Sequence, residues 1–181
     1  MKSKYQDPLI LTETIHQDFI DAKNRIYNPC GIECSQPVAE KESIEYGACT
    51  FKLNDFVVKF RVSKITPTKI GQFVTLWKRI GNGPIQPYDI SDPIDFFIIS
   101  TRKDDHFGQF IFPKSVLCEQ DVLSINGLGG KRAIRVYPSW DIALNRQAQK
   151  TQKWQLEYFL DLSENIKTDM ARTHLLYSRM V

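Results

Sequence analysis

The stretch Asp95-Phe96-Phe97-Ile98-Ile99-Ser100 decides the fold. Its four consecutive apolar side chains are the longest such run in the chain, far below the roughly 20 that a membrane helix needs. A strand without polar alternation is buried on both faces, which puts it at the middle of a sheet with a covering layer on each side. Downstream, the turn Asp104-Asp105-His106 returns the chain into a second strand over 108–112. Pro113 and Lys114 end that strand, and a short helical turn follows through Val116 and Leu117.

Upstream lies more β sequence. Residues 48–53 lead through Asn54-Asp55 into Phe56-Val57-Val58-Lys59-Phe60-Arg61-Val62-Ser63-Lys64-Ile65. Val58, Phe60 and Val62 alternate with Lys59, Arg61 and Ser63, the pattern of a half-exposed hairpin strand with a basic outer face. Residues 72–77 form a further strand, and the glycines and prolines of 81–87 mark a loop. Helices are expected at both ends. Ile15, Phe19, Ala22 and Ile26 recur at helical spacing after a cap at Thr12 or Thr14, and Asn28-Pro29-Cys30-Gly31 stops that helix. A short helix is expected over 38–44, a last strand over 133–137 and the longest helix over 141–162, with Leu144, Ala148, Leu156, Phe159 and Leu160 inward. Residues 163–181 extend that helix or add another. The order implies one domain over 1–181, an α/β or α+β arrangement with helices packed on the faces of a sheet.

Composition narrows the function. The chain has 181 residues, 42% hydrophobic and 25% charged, which is ordinary for a globular domain. The amino-terminal residues lack a signal-peptide core, so the expected location is the cytoplasm, away from membranes, with reduced thiols. Cys30 and Cys34 make one loose pair that no second pair answers, so no metal and no cofactor is expected. The net charge of +3 is unevenly spread. From Phe56 to Tyr88 there is no Asp or Glu, while Lys59, Arg61, Lys64, Lys69, Lys78 and Arg79 are all positive. A second basic stretch, Lys131, Arg132, Arg135, Arg146, Lys150 and Lys153, holds only Asp141 as an acid.

Enzymatic motifs are scarce. Gly129-Gly130-Lys131-Arg132 precedes a strand rather than a helix, unlike a phosphate loop. No Gly-x-Ser-x-Gly elbow occurs, and His106 sits in a charged turn. A metal nuclease needs an acid opening one strand and an acid-x-lysine triplet on the next. Asp95 answers the first need, but Gln109 stands where the second acid belongs and Lys114 falls past the strand end. The basic stretches with their aromatics remain: cations hold phosphates, and Trp77, Tyr137, Trp140 or Trp154 offers a stacking face. Arg61, Lys64, Lys69, Trp77, Lys78, Arg79, Arg132, Arg135, Lys150 and Lys153 are therefore the candidate contacts to DNA or RNA.

Several blocks carry a family resemblance. These are residues 45–51, the run Phe60-Arg61-Val62-Ser63-Lys64-Ile65-Thr66-Pro67-Thr68-Lys69-Ile70-Gly71-Gln72-Phe73-Val74-Thr75-Leu76-Trp77-Lys78-Arg79, and residues 95–100, 108–114 and 131–138. Over about 10–162 the chain resembles the MepB-like family, leaving 163–181 as a carboxy-terminal extension. The resemblance implies a small soluble bacterial protein encoded beside a multidrug efflux transporter and its repressor. It also implies a restriction-endonuclease-like architecture, a central mixed sheet flanked by helices. It carries over no catalytic residue. The leading expectation is nucleic-acid binding on a nuclease-like scaffold with a degenerate catalytic site. The alternatives are an accessory protein of a drug-response operon that binds a small molecule or protein, and a divergent metal nuclease using Asp95 with an acid from the first helix or Glu45.

Overall fold

A computed structural model describes residues 15–178. Helix α1 (Gln17–Ala22) continues as a π-turn over Lys23–Tyr27. Strands β1 (Val38–Ala39), β2 (Cys49–Leu53), β3 (Phe56–Val62), β4 (Lys64–Thr66), β5 (Lys69–Thr75), β6 (Trp77–Arg79) and β7 (Ile85–Pro87) follow. Then come β8 (Phe96–Lys103), β9 (His106–Pro113), α2 (Lys114–Glu119), β10 (Ala133–Val136), α3 (Arg146–Leu156), β11 (Phe159–Asp161) and α4 (Met170–Tyr177).

The main sheet runs β1-β2-β3-β8-β9-β11 and is mixed, because β3 and β8 pair parallel while the other neighbours pair antiparallel. The apolar run of β8 serves both faces. Phe96 and Ile98 join the core under α1 and α4, with Phe19, Ile26, Phe60 and Leu176. Phe97 and Ile99 join the core on the other face, with Val74, Phe110, Leu117 and Val136. Two parallel neighbours need a crossover between them. Here residues 63–95 supply it with β4–β7 instead of a helix, and β5 pairs with β10 in a small β10-β5-β4 sheet over that second core. The result is an α+β fold with a central mixed sheet flanked by helices.

Helix α1 is fastened by charge as well as by its apolar stripe. Buried Asp18 accepts the Ser100 hydroxyl at 2.6 Å and Arg102 Nε at 2.6 Å. The π-turn widens the helix so that neighbouring Ile26 and Tyr27 are both fully buried. Its cap is His16, whose Nδ1 accepts the Asp18 amide; the expected caps Thr12 and Thr14 lie outside the described residues.

Four expectations are corrected. The helix expected over 38–44 is replaced: Val38 and Ala39 pair with Thr50 and Cys49, Ser43 takes a left-handed φ of 58°, and a single 3-10 turn starts only at Ile44–Tyr46. The stretch 81–87 is a turn only to Pro84, since β7 pairs with β6. The long helix over 141–162 is shorter, beginning at Arg146 under an Asn145 cap and ending at Leu156. Phe159–Asp161 instead pairs with β9, and Leu144 is exposed. Finally, the basic face of β3 is covered: Arg61 and Ser63 are buried and Lys59 is half-buried.

The β9–β11 pairing leaves no room at Gly108, where a Cβ would lie 2.3 Å from the Phe159 ring and 2.9 Å from the Leu160 carbonyl oxygen. Gly108→Ala is expected to cost about 1–3 kcal/mol by overpacking, read as a lower denaturant midpoint in urea unfolding.

Candidate functional site

The alternation of β3 points Lys59 and Arg61 away from α1, into the layer between the main sheet and the crossover. An arginine buried to 1% exposure requires a counter-charge. Glu40, one residue past β1, provides it: Arg61 Nη2 donates to Glu40 Oε2 at 2.7 Å, and Lys59 Nζ to Oε1 at 2.9 Å. The Thr50 hydroxyl also donates to Glu40 at 2.8 Å, and Arg61 reaches the Tyr88 hydroxyl at 3.1 Å. Burial pushes the Glu40 carboxyl up, but the Arg61 and Lys59 charges outweigh it and hold it below its ordinary value. Tyr88 is pushed up to about 12 by burial, against the pull of Arg61.

The neighbouring cations are paired too. Lys78 pairs with Asp92, and Arg79 Nε donates to Glu42 at 2.9 Å while its guanidinium lies 5.6 Å over the Trp77 ring. These groups border a cleft of about 560 Å³ lined by Thr50, Lys59, Trp77, Lys78, Tyr88 and Asp92. The acid-free span therefore does not present its cations as one free surface. Lys59, Arg61, Lys78 and Arg79 meet carboxylates distant in sequence, and for Arg61, enclosed beneath the crossover, a partner is required.

A different basic surface forms beyond the small sheet. The β5–β10 pairing sets Arg135 opposite Phe73 and brings the second basic stretch against the first. A groove of about 700 Å³ opens there, between the small sheet and α3, bordered by Lys69, Lys131, Arg135, Leu144, Tyr137 and Trp154. No Asp or Glu stands among the described residues that line it. Its shape is held by Gln155, buried to 1% exposure, which accepts the Tyr137 amide and donates to the Arg135 carbonyl, both at 2.9 Å. Arg135 is committed, its guanidinium donating to the Gly71 carbonyl and the Thr66 hydroxyl. Lys64, Lys69, Lys131, Arg132, Lys150 and Lys153 are exposed and pair with no carboxylate among the described residues. Lys64 lies 4.6 Å over the Tyr46 ring, away from the groove lining. Lys150 and Lys153 also stand outside that lining, on α3. Of the ten expected contacts, Lys69 and Arg135 line the groove; Trp77, Lys78 and Arg79 line the other cleft.

The positions weighed for catalysis do not converge. Asp95 Oδ2 accepts the Val57 amide at 2.8 Å, so that carboxylate tethers β3 to β8. Gln109 pairs with Ser100 and Pro113 with Phe96, which sets Gln109 five residues along the strand from Asp95, roughly 17 Å at about 3.4 Å per residue. Among the described residues no cluster of three His, Cys, Asp or Glu side chains is placed to hold a metal ion. His106 stacks on Trp140 at 4.9 Å. The Cys49 thiol is pushed up to about 12 by burial, which removes it as a nucleophile. The Gly127 amide and the Ser124 hydroxyl donate to Asp89, holding its carboxyl well below the usual range and occupying the glycine loop with an internal anion.

Removing Arg61 leaves Glu40 as an uncompensated buried charge. Arg61→Met is expected to cost about 3–5 kcal/mol, and Glu40→Gln with Arg61→Met distinctly less than the two single losses added, in a double-mutant cycle by urea unfolding. Since Glu40 titrates lower in the folded chain than unfolded, its stabilisation is full above the ordinary value of 4.5 and is lost as pH falls through the folded value. That part of the acid-side loss is expected to vanish in Glu40→Gln.

Comparison with known proteins places this arrangement. A family model described as MepB-like matches residues 40–161, which takes in the Glu40 cluster, both basic stretches and every strand from β2 to β11. A solved structure titled "Crystal Structure of MepB" is 35% identical, with a TM-score of 0.71 over 84% of this chain and 100% of that one. A second, titled "The structure of a bacterial homing endonuclease: I-Ssp6803I", is 15% identical, with a TM-score of 0.45 over 83% of this chain and 92% of that one. No curated protein matches. On the extent of the family match and the identity to the first structure, the chain belongs to the MepB-like family.

Proposed function

We propose that this chain binds DNA or RNA through the phosphate backbone, on a nuclease-like scaffold whose catalytic site is degenerate. The observation that carries the reading is the groove between the small sheet and α3, which has Lys69, Lys131 and Arg135 on its walls and no carboxylate among its described lining residues. A lysine whose charge is not answered within the protein concentrates counterions, and releasing them to a phosphate drives binding. Arg132, Lys150 and Lys153 add positive potential nearby. Lys78 and Arg79 contribute little, being already paired with Asp92 and Glu42. Turnover is not expected, since Asp95 and Gln109 stand far apart along their strands and Asp95 is engaged by a backbone amide.

A second reading, an accessory protein of a drug-response operon taking a small molecule, draws on the cleft beside Trp77. Its volume of about 560 Å³ is within the usual range for such ligands. The charged groups there already satisfy one another, so a polar ligand would have to displace Lys78 from Asp92 or Lys59 from Glu40.

The discriminating measurement is affinity for a labelled 20-mer across a salt series. Lys69→Ala with Lys131→Ala is expected to flatten the log–log slope on a single strand by about 1.4, from roughly 0.7 per phosphate, and to weaken all sequences alike. Lys78→Ala with Arg79→Ala is expected to leave the slope unchanged. Absence of binding to any 20-mer at low salt and tens of micromolar protein sinks this reading in favour of the small-molecule one.

A further inference from the structure

We infer that the groove takes single-stranded rather than duplex nucleic acid, with unpaired bases laid on its aromatic and aliphatic wall. The inference rests on the backbone-binding reading and goes beyond it, because phosphate contacts alone do not distinguish the two forms.

The observation is what stands beside the cations. Tyr137 and Trp154, both partly buried, line the groove together with Leu144 and Ile70. Leu144 is 75% exposed and Ile70 is 39% exposed. The same two residues border an adjoining cleft of about 520 Å³, with Ile65 and Ile142 and with the mutually paired Lys103 and Asp141. Four large exposed aliphatics, Ile65, Ile70, Ile142 and Leu144, thus stand beside the basic groove, exposed apolar side chains of the kind that mark a binding site when they gather. A ligand covering both features must offer negative charge and flat apolar faces within a few ångströms of one another. In a duplex the base faces are stacked inside and only phosphates and base edges reach the protein. In a single strand the base faces are free to lie on aromatic rings while the backbone meets lysines.

The wall is also held rigid before any ligand arrives. The Tyr137 ring lies against Gly71, where a Cβ would come within 2.6 Å of it and where φ is +80°. Trp154 packs on Phe112 at 5.3 Å between ring centroids, and Gln155 ties α3 to β10 on both sides of Arg135 and Tyr137. Rings fixed in this way lose little freedom when a base stacks on them.

The test uses the full chain and three labelled 20-mers at low salt: single-stranded oligo(dT), a mixed-sequence duplex, and an abasic strand with the same phosphates. The single strand is expected to bind at least about fivefold tighter than either of the others, the lower bound for stacking one base on a ring. A smaller advantage over the duplex or the abasic strand overturns the inference while leaving backbone binding in place. Failure of all three probes to bind overturns the backbone-binding reading and this inference with it. Ile142→Ser with Leu144→Ser, at exposed positions that spare the core, is expected to weaken the single strand by about threefold or more through lost apolar contact and to leave the duplex unchanged. Equal weakening of both, or of neither, also overturns it.

Discussion

A guanidinium inside the protein must have an anion beside it, and that requirement organises this structure. Arg61 stands on β3, one strand of the parallel pair at the centre of the sheet, with its side chain almost wholly enclosed. Glu40 meets it from just beyond the two-residue edge strand β1, and Lys59, Thr50 and Tyr88 complete the shell. The pair binds three distant pieces of chain together: the start of the sheet, its central strand and the end of the crossover. A hydrophobic pair of similar volume would hold them with comparable energy, but the ion pair also dictates which residues meet.

The same requirement divides the cations into two populations. Lys59 and Arg61 on β3, and Lys78 and Arg79 on the crossover strand β6, meet Glu40, Asp92 and Glu42. Those left outside, around the small sheet and α3, meet no carboxylate among the described residues. Of the two populations, the second is the one left without such an internal counter-charge. Four of the six cations between Phe56 and Tyr88 are neutralised within the protein, whereas none of the six between Lys131 and Lys153 pairs with a carboxylate among the described residues.

This division explains what was legible in the residues and what was not. The unalternating run Phe96–Ile99 announced a strand buried on both faces, and the sheet has it next to its parallel partner. The helical stripe Phe19, Ala22 and Ile26 was equally plain. Alternation in β3 was also read correctly, but its meaning depended on whether a layer covers the polar face, which period 2 does not encode. Glu40 lies 21 residues from Arg61, and no local pattern links them. The helix expected over 141–162 failed for a related reason: Tyr158-Phe159-Leu160 suits a buried helix turn or a strand, and pairing with β9 decided for the strand. Lys131, Tyr137 and Trp154 were visible as basic and aromatic residues, but their convergence with Lys69 required the β5–β10 register.

The crossover is the source of that convergence. Had a helix joined β3 to β8, it would have lain flat on the second core and closed that face. Residues 63–95 form strands instead, and β5 offers an edge that β10 takes up, so that the following α3 packs across a β surface and leaves a groove beside it. The walls contributed by Leu144, Ile70 and Trp154 are of low polarity, and they focus the field of Lys69 and Lys131 into the groove rather than letting water disperse it. Asp141, the one acid between Lys131 and Lys153, would oppose that field. Its side chain is 7% exposed and its charge is taken by Lys103 from the β8–β9 hairpin at 3.2 Å, so the single negative residue of the second basic stretch is neutralised at the groove's margin.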